Sequence, residues 1–355
     1  MHKPWLTILF LSVLPIATAQ EKNITHEDIW NGSFRTQRME VLHSMDNGQQ
    51  YSVLNFNRFT RSTSVDIYDY KTQSKVQSLV DSKDLEAIAY FTNYNFSDDE
   101  SKILLASEVE SLYRRSTLGL FFVYDLALKK LQKISDYKIQ EPTFSPDGSK
   151  VAYGFKNNLY VKDLETGLTK QITFDGEKNK IINGITDWVY EEEFAFVRAY
   201  EWNADGRKIA FLRFDETLVP EFSMDVYGRA LYQTQQVFKY PKAGEKNAVV
   251  SLYVWDLNTD STTKVKLQKP YKDFYIPRIK WTSDASVLSA QYLNRLQNEL
   301  DLWAIDTTSN KSSILLTETD AAYVDVTDNL TFLKDNSFIW TSEKDGHNHL
   351  YHYNK

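Results

Sequence analysis

The 355-residue chain has no cysteine, which excludes disulfide bonds, thiolate metal sites and cysteine nucleophiles. No two of its twelve glycines stand four positions apart, so the Gly-x-Ser-x-Gly turn that holds the serine of an α/β-hydrolase is missing. The formal net charge is −7 and the basic residues are dispersed, which offers no footprint for nucleic acid. We therefore predict no catalytic residue, no metal site and no cofactor in this chain.

Aromatic residues, in contrast, are abundant. Tyr (22), Phe (20) and Trp (8) account for 14% of the chain, within a hydrophobic fraction of 42%. This composition is typical of a globular protein and favours β-strands with half-buried aromatic side chains.

The first nineteen residues have the features of a signal peptide. Lys3 precedes an apolar run over residues 6–16, and Ala17-Thr18-Ala19 supplies a small-x-small cleavage site. The run is short for a bilayer span, and an uncleaved membrane anchor is the alternative. We predict export to the periplasm or the extracellular space without a stable membrane span, and the lack of cysteine favours a bacterial envelope. Residues 20–40 form a lead segment.

A self-similar unit organises the rest of the chain. An aromatic residue, a polar turn centred on Asp and an apolar strand are followed by an aromatic-rich strand that ends in Asp. Residues 144–153 and 159–164 form one copy, and residues 202–211 and 252–257 form another. The turns lie near positions 46, 98, 147, 205, 284 and 335, at intervals of about 50 residues with one longer interval of about 80.

This spacing predicts an all-β fold, a β-propeller of four-stranded blades over residues 41–355. Asp-Gly and Asp-Asn supply the positive φ angles of tight hairpin turns, and one such sheet cannot bury its apolar face alone. A β-sandwich built from unrelated hairpins is the alternative. The six turns correspond to about six blades, and the long interval indicates an insertion at about residues 214–247.

Residues 187–194 read Asp-Trp-Val-Tyr-Glu-Glu-Glu-Phe and place three adjacent carboxylates among large apolar side chains. Partly buried like charges repel strongly, so such a cluster is typical of a place where a cation, such as a free amino group, binds between the acids. The alternative is that the acids lie on the solvated face of a short helix. A second cluster, His347, His349 and His352, could suggest a metal site, but we interpret these residues as ordinary histidines at a blade edge.

Several segments together resemble the N-terminal β-propeller of dipeptidyl peptidase IV, bacterial type. They are residues 24–30, 183–193, 214–220, 240–244, 295–298 and 342–346. The resemblance extends over nearly the whole chain after the signal peptide, and the string at residues 187–193 is its most specific part.

The resemblance implies an eight-bladed propeller that caps an α/β-hydrolase domain, so the present chain is an incomplete propeller with about six of eight blades. In that family two glutamates hold the free α-amino group of a peptide, and Glu192 and Glu193 occupy their positions. Arg114 matches the arginine that binds the first peptide carbonyl, although Arg115 beside it leaves the register open. We expect Glu191, Tyr190 and Asp187 to be supporting residues.

The function implied is that of the substrate-gating, N-terminus-recognising propeller of a serine exopeptidase that releases X-Pro or X-Ala dipeptides. Its partners would be a peptide with a free N-terminus, the missing hydrolase domain and a second copy, bound through a propeller arm. Without the Ser/Asp/His domain the chain should be inactive alone. The alternative function is that of a stand-alone exported propeller that binds peptides or glycans without catalysis.

Overall fold

The computed structural model describes residues 23–36 and 41–354, so the predicted signal peptide at residues 1–19 lies outside the described part. The chain divides into two compact units, residues 1–41 and 42–355. In the first unit a short helix, α1 (His26–Trp30), is closed by a capping box between Thr25 and Asp28. No helix in the two described segments has the length and apolarity to cross a bilayer.

The second unit consists of antiparallel sheets that follow one another along the chain. Sheet 1 consists of β1 Leu42–Ser44, β2 Gln50–Asn57, β3 Ser62–Asp69 and β4 Lys75–Asp81; sheet 2 of β5 Asn93–Phe96, β6 Lys102–Ser111, β7 Thr117–Asp125 and β8 Lys130–Lys133; and sheet 3 of β9 Gln140–Phe144, β10 Lys150–Phe155, β11 Asn158–Asp163 and β12 Thr169–Gln171. Sheet 4 consists of β13 Ile181–Asn183, β14 Tyr200–Trp202, β15 Lys208–Asp215, β18 Val249–Asp256 and β19 Ser261–Lys264, and a separate hairpin, β16 Glu221–Val226 and β17 Thr234–Lys239, lies between β15 and β18 in the chain. Sheet 5 consists of β20 Phe274–Trp281, β21 Val287–Asn294, β22 Glu299–Asp306 and β23 Lys311–Thr319, and sheet 6 of β24 Thr331–Phe332, β25 Phe338–Ser342 and β26 His349–Tyr353. A 3-10 turn (Ser82–Asp84) follows β4, and helix α2 (Trp188–Glu193) follows β13.

The six Asp-centred turns each connect two neighbouring strands at the start of a sheet. In sheet 3, the amide of Ser145 donates to the carbonyl of Lys150 at 2.9 Å, and Asp147 accepts hydrogen bonds from the Ser145 hydroxyl and the Ser149 amide. Gly148 has a φ of +62°, as the tight turn requires. The spacing of these turns therefore predicted the division into blades, and the all-β propeller fold is confirmed.

A second Asp recurs where the third strand of a blade ends. Its carboxylate accepts hydrogen bonds from the backbone amides two and three residues further on, an Asx turn that leads into the fourth strand. These residues are Asp69, Asp125, Asp163, Asp256 and Asp306.

The core lies between successive sheets. In β6, Ile103 and Leu105 pack with Val65 of sheet 1, whereas Leu104 between them packs with Val151 of sheet 3. Alternate residues of one strand therefore belong to two different apolar layers, because successive side chains of a strand point to opposite faces. One blade cannot bury both faces in this way alone.

The hairpin β16–β17 interrupts sheet 4 between β15 and β18, within the residues at which we predicted an insertion. Its six β16 residues are exposed, and its strands pair only with each other among the described strands. The hairpin extends beside helix α2, as its aromatic contacts described below show.

Candidate functional site

A four-residue segment, residues 184–187, connects β13 to helix α2. Gly184 has a φ of +72°, and a Cβ there would lie 2.4 Å from a methyl group of Leu159, so only glycine fits. Asp187 is the N-cap residue: its backbone is extended, and its carboxylate accepts a hydrogen bond of 3.0 Å from the amide of Tyr190. Asp187 is buried, and burial raises its pKa to about 6, against the lowering effect of that hydrogen bond.

Tyr190 fixes the helix to the core. Its ring packs at steep angles against Phe194, Phe214 and Tyr275, with centroid distances of 5.1, 4.7 and 6.1 Å. Its hydroxyl accepts a hydrogen bond of 2.9 Å from the amide of Ile276 in β20. Burial raises the pKa of Tyr190 well above its usual value, so the hydroxyl stays protonated and the helix is held between sheets 4 and 5.

The three consecutive glutamates lie in three different environments. Glu191 is 2% exposed, and its Oε1 accepts hydrogen bonds from the backbone amides of Arg115 (2.6 Å) and Ser116 (2.8 Å) in the loop between β6 and β7. Glu192 is partly exposed and Glu193 is exposed. The solvated-face interpretation therefore describes Glu193 but not Glu191.

Arg114 is brought to this cluster by the loop that Glu191 holds. Its Nε donates to Oε2 of Glu192 at 2.7 Å, while the Arg114 side chain remains 71% exposed. The neighbouring Arg115 contributes its backbone amide to Glu191, so it is Arg114 whose guanidinium contacts a glutamate. Within residues 23–36 and 41–354, the carboxylate of Glu193 has neither a hydrogen-bond donor nor a cationic partner.

Glu192, Glu193 and Arg114 line a cavity of about 1050 Å³, which we call the glutamate cavity. Its apolar wall is aromatic, and the hairpin supplies part of it: the ring of Trp188 lies 4.4 Å from that of Tyr240. The wall residues are Trp188, Phe222, Phe238, Tyr240 and Tyr275. Glu192 and Glu193 therefore lie at the border of an aromatic-walled space, with Glu193 still open to solvent.

A second cavity of about 610 Å³, which we call the rear cavity, lies on the other side of helix α2. Asp187 and Glu191 line it, together with Glu216 from the segment after β15. Burial, and after it the charge of Asp187, raises the pKa of Glu216 to about 7. The two cavities adjoin and share five lining residues: Leu112, Tyr113, Trp188, Gln236 and Phe238.

Sequence reasoning missed three polar residues in these cavities. Glu216 lines the rear cavity, while Asn247 and Arg295 line the glutamate cavity. The Asn247 amide donates to the hydroxyl of Tyr275 at 2.7 Å, and Arg295 donates to the carbonyl of Glu245 at 2.9 Å. Glu216 and Arg295 lie in segments that carry the family resemblance, but their place in a cavity follows only from the fold, which brings together the two flanks of the hairpin in sheet 4 and the turn after β21 in sheet 5.

The histidines near the end of the described chain do not gather around a common point. The Nε2 atom of His352 lies 3.0 Å from the Ser337 hydroxyl, and that of His349 lies 3.8 Å from Asp345. In the part of the chain that the structure describes, no group of three or more His, Asp or Glu side chains is arranged to hold a metal ion.

Comparison with known proteins identifies the family. Residues 97–355 match the model of the dipeptidyl peptidase IV N-terminal region. The chain is 31% identical over 266 residues to human prolyl endopeptidase FAP, covering 73% of this chain and 31% of that protein. It is 35% identical over 223 residues to dipeptidyl peptidase 4 of Felis catus, covering 58% of this chain and 28% of that protein.

The crystal structure of Porphyromonas gingivalis dipeptidyl peptidase 4 has the same fold, with a TM-score of 0.87 and 35% identity over 94% of this chain and 48% of that one. The chain thus spans about a third of the length of these two curated relatives and about half of the solved structure. Since the family model matches well over half of its residues, the chain belongs to the dipeptidyl peptidase IV N-terminal region family.

Proposed function

We propose that this chain is the substrate-gating, N-terminus-recognising propeller of a dipeptidyl peptidase IV-like serine exopeptidase. The observation that carries the proposal is the convergence of Glu192, Glu193 and Arg114 on one aromatic-walled cavity. Membership in the family supports it, because relatives with this region carry the names dipeptidyl peptidase 4 and prolyl endopeptidase FAP.

The carboxylates suit a peptide's α-ammonium group. Glu193 has no partner within the described segments, and Glu192 uses one oxygen for Arg114, so acceptors remain for the three N–H bonds of an ammonium. Charge-assisted hydrogen bonds of this kind are short and roughly twice as strong as neutral ones. An N-blocked peptide would leave the carboxylates without a cation, which would select for free N-termini.

Arg114 suits the carbonyl of the first peptide unit. Only its Nε is engaged by Glu192, and the guanidinium offers further donors on an exposed side chain. Glu191 does not face the glutamate cavity, and we assign it to positioning, because its two backbone hydrogen bonds hold the loop that presents Arg114. We also assign Tyr190 and Asp187 to positioning, because their hydrogen bonds hold helix α2 in place.

The chemical step is proposed to reside in an α/β-hydrolase domain. The printed sequence has no Gly-x-Ser-x-Gly turn, and the chain spans about half of the solved relative. The propeller would fix the distance from the ammonium group to the bond that is cut, so that dipeptides are released. The preference for Pro or Ala as the second residue is what the family resemblance implies.

The direct test is peptide binding. We expect the chain to bind the tripeptide Ala-Pro-Ala at least about tenfold more tightly than its N-acetylated form, measured by isothermal titration calorimetry. Glu193→Gln should remove most of this preference, whereas the matched change Glu165→Gln, at an exposed turn of sheet 3, should leave it unchanged. In a full-length enzyme, Glu192→Gln or Glu193→Gln should likewise weaken hydrolysis of a free-amino substrate without loss of folding.

A stand-alone binding function is the second candidate. The aromatic wall of the glutamate cavity favours it, because such surfaces also bind sugars and apolar peptide side chains. Equal affinity for the free and acetylated tripeptides, retained in Glu193→Gln, would favour this function over recognition of the N-terminus.

We further propose export and self-association. Export follows from the predicted signal peptide, and cell fractionation should find the mature chain in the periplasm or the medium. Self-association is assigned to the hairpin, whose tip exposes Tyr227, Leu231 and Tyr232. Replacing Leu231 and Tyr232 by Asp should convert a dimer to a monomer in sedimentation experiments, and a monomeric wild-type chain would contradict the assignment.

A further inference from the structure

Glu216 is a buried carboxylate that the recognition of a peptide N-terminus does not use. It is 5% exposed and lines the rear cavity. Within the two described segments, no group donates a hydrogen bond to its carboxylate and no cationic nitrogen lies within 4 Å of it. A buried charge without compensation is costly, so this carboxylate has the capacity to bind a cation that the protein itself does not supply.

The neighbouring charged groups do not neutralise the carboxylate of Glu216. Lys239 is close enough to lower the pKa of Glu216, but its ammonium donates to the carbonyl of Val219 at 2.8 Å. Asp187 and Asp215 act in the opposite direction and raise the pKa of Glu216. Asp187 and Glu191 also line the cavity, and both already accept backbone hydrogen bonds, so the buried acids around Glu216 add negative potential.

The lysines that line the rear cavity do not cancel that potential. Lys156 and Lys178 are exposed, so water and salt screen their charges. Lys138 donates to Glu110 at 3.0 Å. Lys239 also lines the cavity with a side chain that is only 11% exposed, but its ammonium group donates to the carbonyl of Val219. The three buried acids Asp187, Glu191 and Glu216 therefore outnumber this one buried cation of the lining.

The walls of the rear cavity are apolar and largely aromatic. Tyr113, Phe155, Trp188 and Phe238 contribute rings, and Ile185 contributes a buried aliphatic side chain. The volume of about 610 Å³ is within the range of pockets that hold small organic molecules. Aromatic faces also attract cations, so wall and carboxylate favour the same ligand.

We propose that the rear cavity is a second binding site that takes a primary amine with a compact apolar body and binds its ammonium group to Glu216. The site uses a different acid from the proposed N-terminus clamp, because Glu216 lines only the rear cavity and Glu192 and Glu193 line only the glutamate cavity, although the two cavities share part of their walls. It therefore stands or fails independently of the proposed function.

The test uses 2-phenylethylamine as the probe and calorimetry at pH 8, where the carboxylate form of Glu216 predominates. The experiment is done in the full chain carrying Glu193→Gln, which weakens competing binding in the glutamate cavity. We expect measurable binding of the amine and roughly tenfold or weaker binding of the uncharged analogue 2-phenylethanol. Adding Glu216→Gln should reduce the amine affinity by roughly tenfold or more.

A second variant keeps the test decisive if Glu216→Gln does not fold. Val237 is 39% exposed and lines the rear cavity but not the glutamate cavity, so Val237→Trp should fill the space and abolish amine binding while Glu216 stays intact. Circular dichroism melting confirms the fold of each variant. Absence of amine binding, equal affinity for amine and alcohol, or full amine affinity in a folded Glu216→Gln or Val237→Trp chain would each overturn the proposal.

Discussion

Helix α2 has a rear face that lines the rear cavity and a front face that lines the glutamate cavity. Both faces carry carboxylates, but the carboxylates differ in burial and in hydrogen-bond partners. On the rear face, Glu191 is buried and satisfied by two backbone amides, and Asp187 caps the helix. On the front face, Glu192 contacts an exposed arginine and Glu193 is exposed. Adjacent glutamates in one sequence run therefore differ: Glu191 holds the structure, whereas Glu192 and Glu193 are the residues that we propose bind a ligand.

The difference shows how partners, rather than residue type, determine the role of a carboxylate. Backbone amides are fixed donors in a buried setting, so a carboxylate that accepts their hydrogen bonds stabilises the contact between two chain segments. An exposed guanidinium is screened by water and binds a carboxylate weakly, which is why we propose that the carboxylates of Glu192 and Glu193 can accept an incoming cation. Three substitutions test this comparison.

The largest effect is expected for Glu191→Ala. Two buried backbone amides, of Arg115 and Ser116, would lose their acceptor, which should lower the free energy of unfolding by about 2–4 kcal/mol. Urea unfolding measures this change. Peptide affinity should also fall in the folded fraction, because the loop that presents Arg114 is released.

The matched control is Glu193→Ala on the front face. Its side chain is exposed, so the free energy of unfolding should change by no more than about 0.5 kcal/mol. Equal destabilisation by the two alanine variants would show that the faces do not differ in the way the contacts indicate.

The blades could be predicted from the sequence because their signals are local. An Asp turn such as that at Asp147 needs only neighbouring residues to form, and it recurs at a regular interval. Alternating apolar residues such as Ile103 and Leu105 then follow from the period of a strand. Local chemistry repeated at a fixed spacing is sufficient to define the architecture.

The site could be predicted only in part, because its contacts join distant segments. The acidic run is visible in the sequence and led to the prediction that it binds a cation, but the hydrogen bonds of buried Glu191 depend on amides more than 70 residues away. Glu216 lies in a segment that the sequence marks, residues 214–220, but its burial without a hydrogen-bond donor follows from the fold, in which Lys239 donates to the carbonyl of Val219 instead. Burial and hydrogen-bond partners of this kind are set by the assembled blades.

The second prediction concerns pH and uses Asp187→Asn. Because burial raises the pKa of Asp187 from 3.8 to about 6, the folded state holds a proton more tightly than the unfolded state. The free energy of unfolding therefore decreases as pH rises from about 4 to about 6, and Glu216 extends the decrease to about 7. Asn removes this titration and still caps the helix.

Urea unfolding at pH 4.5, 6 and 8 measures the effect. Asp187→Asn should equal the wild type near pH 4.5 and exceed it by an amount on the order of 2 kcal/mol at pH 8. The control is Glu193→Gln on the front face, measured at the same three pH values. A constant difference between Asp187→Asn and the wild type at all three pH values would contradict a titrating Asp187.

The smallest effect on stability is expected for Arg114→Met. The ion pair with Glu192 is short at 2.7 Å, but the Arg114 side chain is 71% exposed, so its loss should change the free energy of unfolding by less than about 0.5 kcal/mol. The same substitution should weaken Ala-Pro-Ala binding, since it removes the proposed carbonyl donor. A large loss of stability would show that Arg114, like Glu191, has a structural role. Unchanged stability together with weakened peptide binding would instead support different roles for the two faces of helix α2.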